Sequence, residues 1–215
     1  MHSYRTRAIW TVCSLLLLAP HLPAADNWPE FRGPQGDGRA PNGDPPIEWS
    51  ESHQVKWKVD IHDRGWSSPV IWNDQIWVTT ATEDGKQMYA VCVDRETGRI
   101  EHDILVFENE NPSYCHPTNS YASPTPVIEA GRLYVHFGSY GTACLDTATG
   151  EIIWQRRDLR CDHYRGPGSS PVLYEGGLYV AFDGFDLQYV VGLDKQSGAT
   201  LWRRDRDIDY RSDNG

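Results

Sequence analysis

Asp146-Thr147-Ala148-Thr149-Gly150-Glu151-Ile152-Ile153-Trp154 decides how the chain folds, because two further copies of its pattern follow the same spacing. They are Asp194-Lys-Gln-Ser-Gly198-Ala-Thr-Leu-Trp202 and Asp94-Arg-Glu-Thr-Gly98-Arg-Ile-Glu-His102. In each, Asp stands four positions before Gly, and Thr or Ser immediately precedes the Gly. That is turn chemistry. The carboxylate accepts a hydrogen bond from a backbone N–H just ahead of it, and Gly takes the positive φ that closes a short hairpin loop. An apolar run then leads to Trp154 or Trp202 as the next strand, while the first copy carries His102 at that position.

Outward from these hairpins, three opening strands start at Ser68-Pro69-Val70, Thr125-Pro126-Val127 and Ser170-Pro171-Val172. Eight residues after each proline stands an aromatic, Trp77, Tyr134 or Tyr179, inside an alternating run (75–78, 132–135 and 177–180). Asn73-Asp74, Ala130-Gly131 and Gly176-Gly177 supply the intervening turns. The distance from aromatic to turn Asp is 17, 12 and 15 residues, which predicts a loop of variable length between the second and third strands. Each unit therefore has four strands, and the turn glycines lie 52 and 48 residues apart. That period is close to the roughly 40–50 residues of a propeller blade.

The expected fold is all-β, a partial β-propeller of four-stranded antiparallel blades spanning 54–207: about three blades plus a closure strand around Trp57. A β-sandwich competes, but sandwiches do not carry the same hairpin repeated in register. Rings usually need about 4–8 blades. The chain is therefore expected to be an N-terminal portion of a propeller, with remaining blades or a second copy at its open edges, and 208–215 as a tail or the start of the next blade.

Composition agrees. Nine Trp and eleven Tyr favour the pleated surface, while 19 Gly and 14 Pro punctuate it. A net charge of −10 without clustered Lys or Arg argues against a nucleic-acid partner. Residues 1–24 read as a signal peptide, with Arg5 and Arg7 before the apolar run from Ala8 to Leu18. That run is too short for a span of roughly 20 residues, so the mature chain is expected to lack a transmembrane segment and to be periplasmic or secreted. The Pro- and Gly-rich lead-in, 25–53, is expected to be anchored by Trp28 and Phe31. Its Gly33 to Gly38 lacks the strand, helix and Lys-Ser or Lys-Thr of a phosphate loop.

The stretches Ala143-Cys-Leu-Asp-Thr-Ala-Thr-Gly-Glu-Ile-Ile-Trp154 and Val191-Gly-Leu-Asp-Lys-Gln-Ser-Gly-Ala-Thr-Leu-Trp202 resemble the repeat of pyrroloquinoline-quinone-like (PQQ-like) propellers, and the lead-in from Trp28 to Gly38 looks like the start of exported members. The resemblance implies that Trp154 and Trp202 dock between neighbouring blades, leaving a looser or repacked junction at His102. It also implies two functional classes: quinoprotein dehydrogenases that use PQQ and calcium, and cofactor-free BamB-like scaffolds. The adjacent cysteine pair of many alcohol-oxidising members is absent from this sequence, and no calcium-ligating or catalytic residue of theirs matches a motif in it. The preferred reading is an exported scaffold that binds a protein or small ligand, with no cofactor expected. The alternatives are a fragment of a PQQ- and calcium-dependent dehydrogenase and a carbohydrate-binding surface module.

Cys92 and Cys144 each precede a turn Asp by two residues and read as buried free thiols. Cys115 and Cys161 fall in the loops approaching consecutive blades, so an exported chain makes their disulfide the preferred pairing among the three that four mature cysteines allow. With His116 and His163 they could also form a tetrahedral zinc site, though the spacing is not of the C-x-x-C type. The same approach loops gather His62, Arg64, Trp66, His116, Tyr121, His163, Tyr164 and Arg165. If these loops share one face, that face is the candidate surface for a partner or ligand; packing of the blade tops is the competing role for Trp66, Tyr121 and Tyr164.

Overall fold

The structure is a computed structural model and describes residues 27–40 and 45–206. The expected signal peptide and the 208–215 tail lie outside the described residues. Among the described residues, twelve strands build three four-stranded antiparallel sheets, each in sequence order. The first holds β1 (Val70–Trp72), β2 (Gln75–Ala81), β3 (Gln87–Asp94) and β4 (Ile100–Glu108). The second holds β5 (Val127–Glu129), β6 (Arg132–His136), β7 (Thr142–Asp146) and β8 (Ile152–Arg156). The third holds β9 (Val172–Tyr174), β10 (Gly177–Asp183), β11 (Gln188–Asp194) and β12 (Thr200–Asp205). The three sheets do not close into a ring.

Register repeats from blade to blade. Trp77 pairs with Cys92 and Cys92 with His102; Tyr134, Cys144 and Trp154 align likewise, as do Tyr179, Gly192 and Trp202. One position further on, every third-to-fourth-strand ladder slips, at Cys92/Val93, Cys144/Leu145 and Gly192/Leu193. Such a bulge bends the outer strand and increases its twist, and here it falls next to the docking position each time. The hairpins close as their sequence demands: Gly98, Gly150 and Gly198 have φ of 73°, 77° and 73°, and each donates its N–H to the carbonyl of its turn Asp.

The predicted loop of variable length is not where the length varies. Loops 82–86, 137–141 and 184–187 are nearly equal, whereas β2 and β3 have 7 and 8 residues against 5 and 5 in β6 and β7. An antiparallel hairpin can lengthen at its tip by opposed residues while the register at its base stays fixed.

Packing between sheets explains the apolar runs. Leu133, Val135, Ala143 and Leu145 of the second blade face one core with Val70, Trp77, Ala90 and Cys92 of the first. Tyr134 and Cys144 face the opposite core with Leu178, Val180, Val191 and Leu193 of the third. The central blade is thus buried on both faces, which is why β6 does not keep the half-polar alternation expected of it. Blades are also tied at their inner strands. The Ser68 N–H donates to Thr125 Oγ1 and the Thr125 N–H to Ser170 Oγ, both at 3.0 Å. Those hydroxyls stand one residue before the opening prolines.

The outer junction is the docking contact. Trp154 Nε1–H donates to the Lys195 carbonyl at 3.0 Å, and a Cβ on Gly198 would meet its ring at 2.7 Å. Trp57 repeats the contact against the first blade, donating to the Arg95 carbonyl at 2.9 Å over Gly98. The segment around Trp57 is nevertheless not the expected strand: 55–62 is extended and has no ladder partner among the described residues. At the intermediate junction His102 is repacked. It stacks on Trp77 with ring centres 5.6 Å apart and planes nearly parallel, and lies with Ile104 over Gly150. Trp202 differs from both docked tryptophans. It rests on Tyr179 and Gly192 within its own sheet and is 44% exposed.

The lead-in crosses the inner edges of two blades. Trp28 exchanges backbone bonds with Ile71 at 2.9 and 2.8 Å, and the Pro29 carbonyl accepts from the Ile128 N–H at 2.8 Å. Trp28 therefore anchors this segment as expected, while Phe31 stays 50% exposed and does not.

Trp154→Ala is expected to cost about 3 kcal/mol by opening the second-to-third blade junction. Trp202→Ala is expected to cost about 1 kcal/mol, because half of the ring already meets water. Urea unfolding of both variants at equal pH checks the order.

Candidate binding face

The approach loops and the hairpin tips do share one face. Arg64 exchanges backbone bonds with Ala81 at the end of β2, and His163 forms a bridge with Gly184 beyond β10. The loops are also stitched to one another: the Trp66 and Ser67 N–H groups donate to the Ala122 carbonyl, and the Arg165 carbonyl accepts from the His116 N–H and from Asn119 Nδ2. Three separate chain segments thus form a continuous surface.

On it stand two exposed cation–π pairs. The Arg64 guanidinium lies 5.4 Å from the Trp66 ring centre, and Arg165 lies 4.8 Å from that of Tyr164. Trp66 and Tyr164 are 53% and 58% exposed, so neither serves mainly to pack a blade top. Arg64 is held in place by the Pro117 carbonyl at 3.0 Å and by Glu83 at 3.3 Å. Tyr164 sets its edge against Phe185 at 4.7 Å.

Tyr121 does not belong to the surface. It is 8% exposed, donates its hydroxyl to the Ser113 carbonyl and packs edge-on against Tyr140. His116 turns its Nδ1 to the Thr118 hydroxyl at 2.8 Å, and His163 Nε2 accepts from the Ser139 N–H at 3.0 Å. Burial lowers the His163 pKa despite the carboxylates of Asp162 and Asp186. Both histidines are half-buried loop staples.

His62 is the one face residue with strong electrostatics. Its Nδ1 lies 2.6 Å from Asp63 and its Nε2 3.0 Å from Asp103 on β4, with the Tyr89 ring edge-on at 4.8 Å. Burial pulls its pKa down, yet bonding and attraction from Asp103 and Asp63 outweigh that, and the net shift is upward. The contact ties the first approach loop to the outer strand of its blade.

The Cys115–Cys161 disulfide expected from the compartment is not formed, and all four described cysteines are free. Each thiol faces a polar partner instead: Cys115 Sγ the Arg165 carbonyl at 3.6 Å, and Cys161 Sγ the His163 ring at 3.5 Å. The loops they would cross-link are already joined through backbone bonds. No metal-holding group of three or more His, Cys, Asp or Glu occurs among the described residues. Cys92 and Cys144 are buried as expected, and burial pushes their thiols up to about 12 and about 11. The turn carboxylates are likewise committed. Bonds from Thr97, Thr149 and Ser197 hold Asp94, Asp146 and Asp194 below the usual range.

Sequence reasoning missed a groove beside this face where the lead-in meets the inner strands. Glu30, Phe31, Trp66, Thr125, Ser170 and Val172 are among its lining residues, around a volume of about 520 Å³. No local pattern flags it, because Glu30 and Phe31 reach it only through the backbone pairing of Trp28 and Pro29.

Native alkylation followed by mass spectrometry is expected to label Cys115 first and to leave Cys92 and Cys144 protected, since thiolate character and exposure set the rate. A proton NMR titration is expected to place the His62 midpoint above the ordinary value of about 6.5 and to move it down in Asp103→Asn. By linkage, the His62 contact is fully stabilising below the unfolded-state pKa and is lost as pH rises through the folded one.

A quinohemoprotein alcohol dehydrogenase from Pseudomonas putida HK5 is similar in fold, at TM-score 0.50 and 19% identity, over 69% of this chain and 22% of that one. The quinohemoprotein alcohol dehydrogenase of Comamonas testosteroni gives TM-score 0.51 and 16% identity, over 66% of this chain and 21% of that one. BamB from Moraxella catarrhalis gives TM-score 0.41 and 17% identity, over 72% of this chain and 56% of that one. The chain thus spans about a fifth of the length of the two dehydrogenases. No curated protein matches it. The PQQ_2 family model, described as outer membrane protein assembly factor BamB, matches residues 51–207, and with its unclosed array of propeller blades the chain belongs to that family.

Proposed function

We propose that this chain is exported and contributes a binding scaffold in the cell envelope, with the approach-loop face taking a protein partner. The observation that carries this reading is the pair of exposed Arg–aromatic stacks, Arg64 on Trp66 and Arg165 on Tyr164, on loops fixed by backbone bonds. Arg, Trp and Tyr are the residues that most often dominate binding energy, and pre-ordered loops lose little entropy on association. The BamB description of the family supports a role in assembly.

The alternative is a fragment of a PQQ- and calcium-dependent dehydrogenase, for which no motif of this sequence supplies the ligands. The turn aspartates spend their carboxylates on their own hairpins. No catalytic step is therefore derived from this chain.

Affinity capture from an envelope extract, with the full chain as bait, tests the scaffold role. Charge reversal at Arg64 and Arg165 is expected to release the specific partners while the melting temperature stays within a few degrees of the parent. Unchanged capture would argue against this face.

A further inference from the structure

The groove between the lead-in and the inner strands has a composition that restricts what it can hold. Its volume of about 520 Å³ falls within the roughly 300–1,000 Å³ of small-ligand sites. Two half-exposed aromatic rings, Phe31 and Trp66, line it. The Glu30 carboxylate has no hydrogen-bond or ion-pair partner among the described residues, and burial raises its pKa. Thr125 Oγ1 and Ser170 Oγ each accept a backbone N–H, and neither hydroxyl proton has an acceptor among the described residues. Thr125 is buried, at 2% exposed, so the groove offers one strong acceptor, the Ser170 hydroxyl as donor and apolar ring surface.

Charge narrows the choice. Arg32 lies 5.5 Å from the Phe31 ring centre and Arg64 5.4 Å from that of Trp66, so a cationic ligand would meet two guanidinium groups already on the rings. An anionic ligand would meet the unpaired Glu30. A neutral molecule with many hydroxyls and apolar C–H faces satisfies every group. Its hydroxyls donate to Glu30 and accept from Ser170, and its C–H groups pack on the ring surface that the two guanidinium groups leave open.

We propose that this groove binds a short neutral oligosaccharide, with Glu30 and Trp66 as its principal contacts. The inference goes beyond the protein-scaffold reading above and stands apart from it, naming a ligand class for the groove that adjoins the face.

Isothermal titration of the full chain with cellotriose, maltotriose and chitotriose tests it. Saturable binding of at least one is expected, weakened at least about tenfold by Trp66→Ala and by Glu30→Ala. Affinity is expected to fall as pH drops through the Glu30 pKa, and that dependence is expected to vanish in Glu30→Gln. Near-UV circular dichroism confirms that each variant folds. If Trp66→Ala does not, the two Glu30 variants carry the test. Absence of saturable binding of all three sugars up to about 10 mM overturns the proposal, as does parent-like affinity in both alanine variants. A chain that captures its protein partners yet binds none of the sugars overturns this inference alone. One that binds a sugar yet captures no partner supports it and overturns the protein-scaffold reading.

Discussion

An indole N–H bonded to a backbone carbonyl of the next blade, with its ring laid over a glycine, is the contact on which the architecture depends. A four-stranded sheet has two faces, and it cannot bury either one alone. Trp154 fixes where the third blade must sit: the Lys195 carbonyl sets its height, and Gly198 sets its distance. Any side chain at Gly198 would both collide with the ring and oppose the positive φ. The same geometry at Trp57, Arg95 and Gly98 shows that the contact is a rule of the fold rather than a feature of one junction.

Where the rule is broken, neighbouring groups compensate. His102 is too short to reach across as an indole does, so it turns inward onto Trp77 while Ile104 helps to fill the space over Gly150. At the second junction an ion pair reinforces the indole: Lys195 meets Glu129 at 2.7 Å, and Tyr134 donates to the same carboxylate at 2.8 Å. The inner hydroxyl links through Thr125 and Ser170 complete the frame. With spacing fixed at both the inner and outer strands, the approach loops have little freedom to separate. A rigid frame carrying variable loops is the usual arrangement for a binding surface.

The lead-in changes the character of that surface. By pairing with β1 and β5 it covers inner edges that would otherwise expose backbone groups, and the same pairing delivers Glu30 and Phe31 to the groove. A stabilising device and a recognition surface thus come from one short segment. His62 works in a comparable way on the outside, holding its loop to β4 through the Asp103 carboxylate while Asp63 of the same loop flanks its other ring nitrogen.

The sequence by itself determined the repeat: hairpins at Asp94, Asp146 and Asp194, strand starts at Gln75, Arg132 and Gly177, and Trp154 as a docking residue, whereas Trp202 stays within its own sheet and Trp57 docks in its place on the first blade. These are local matters of turn chemistry, proline placement and period-two patterning, and they leave marks at fixed spacing. Only the tertiary structure decided the rest. The free state of Cys115 and Cys161, the burial of Tyr121, the exposure of Phe31 and the placement of Glu30 beside Trp66 depend on how segments far apart in sequence meet. Such meetings are set by packing between blades, which no spacing along the chain records.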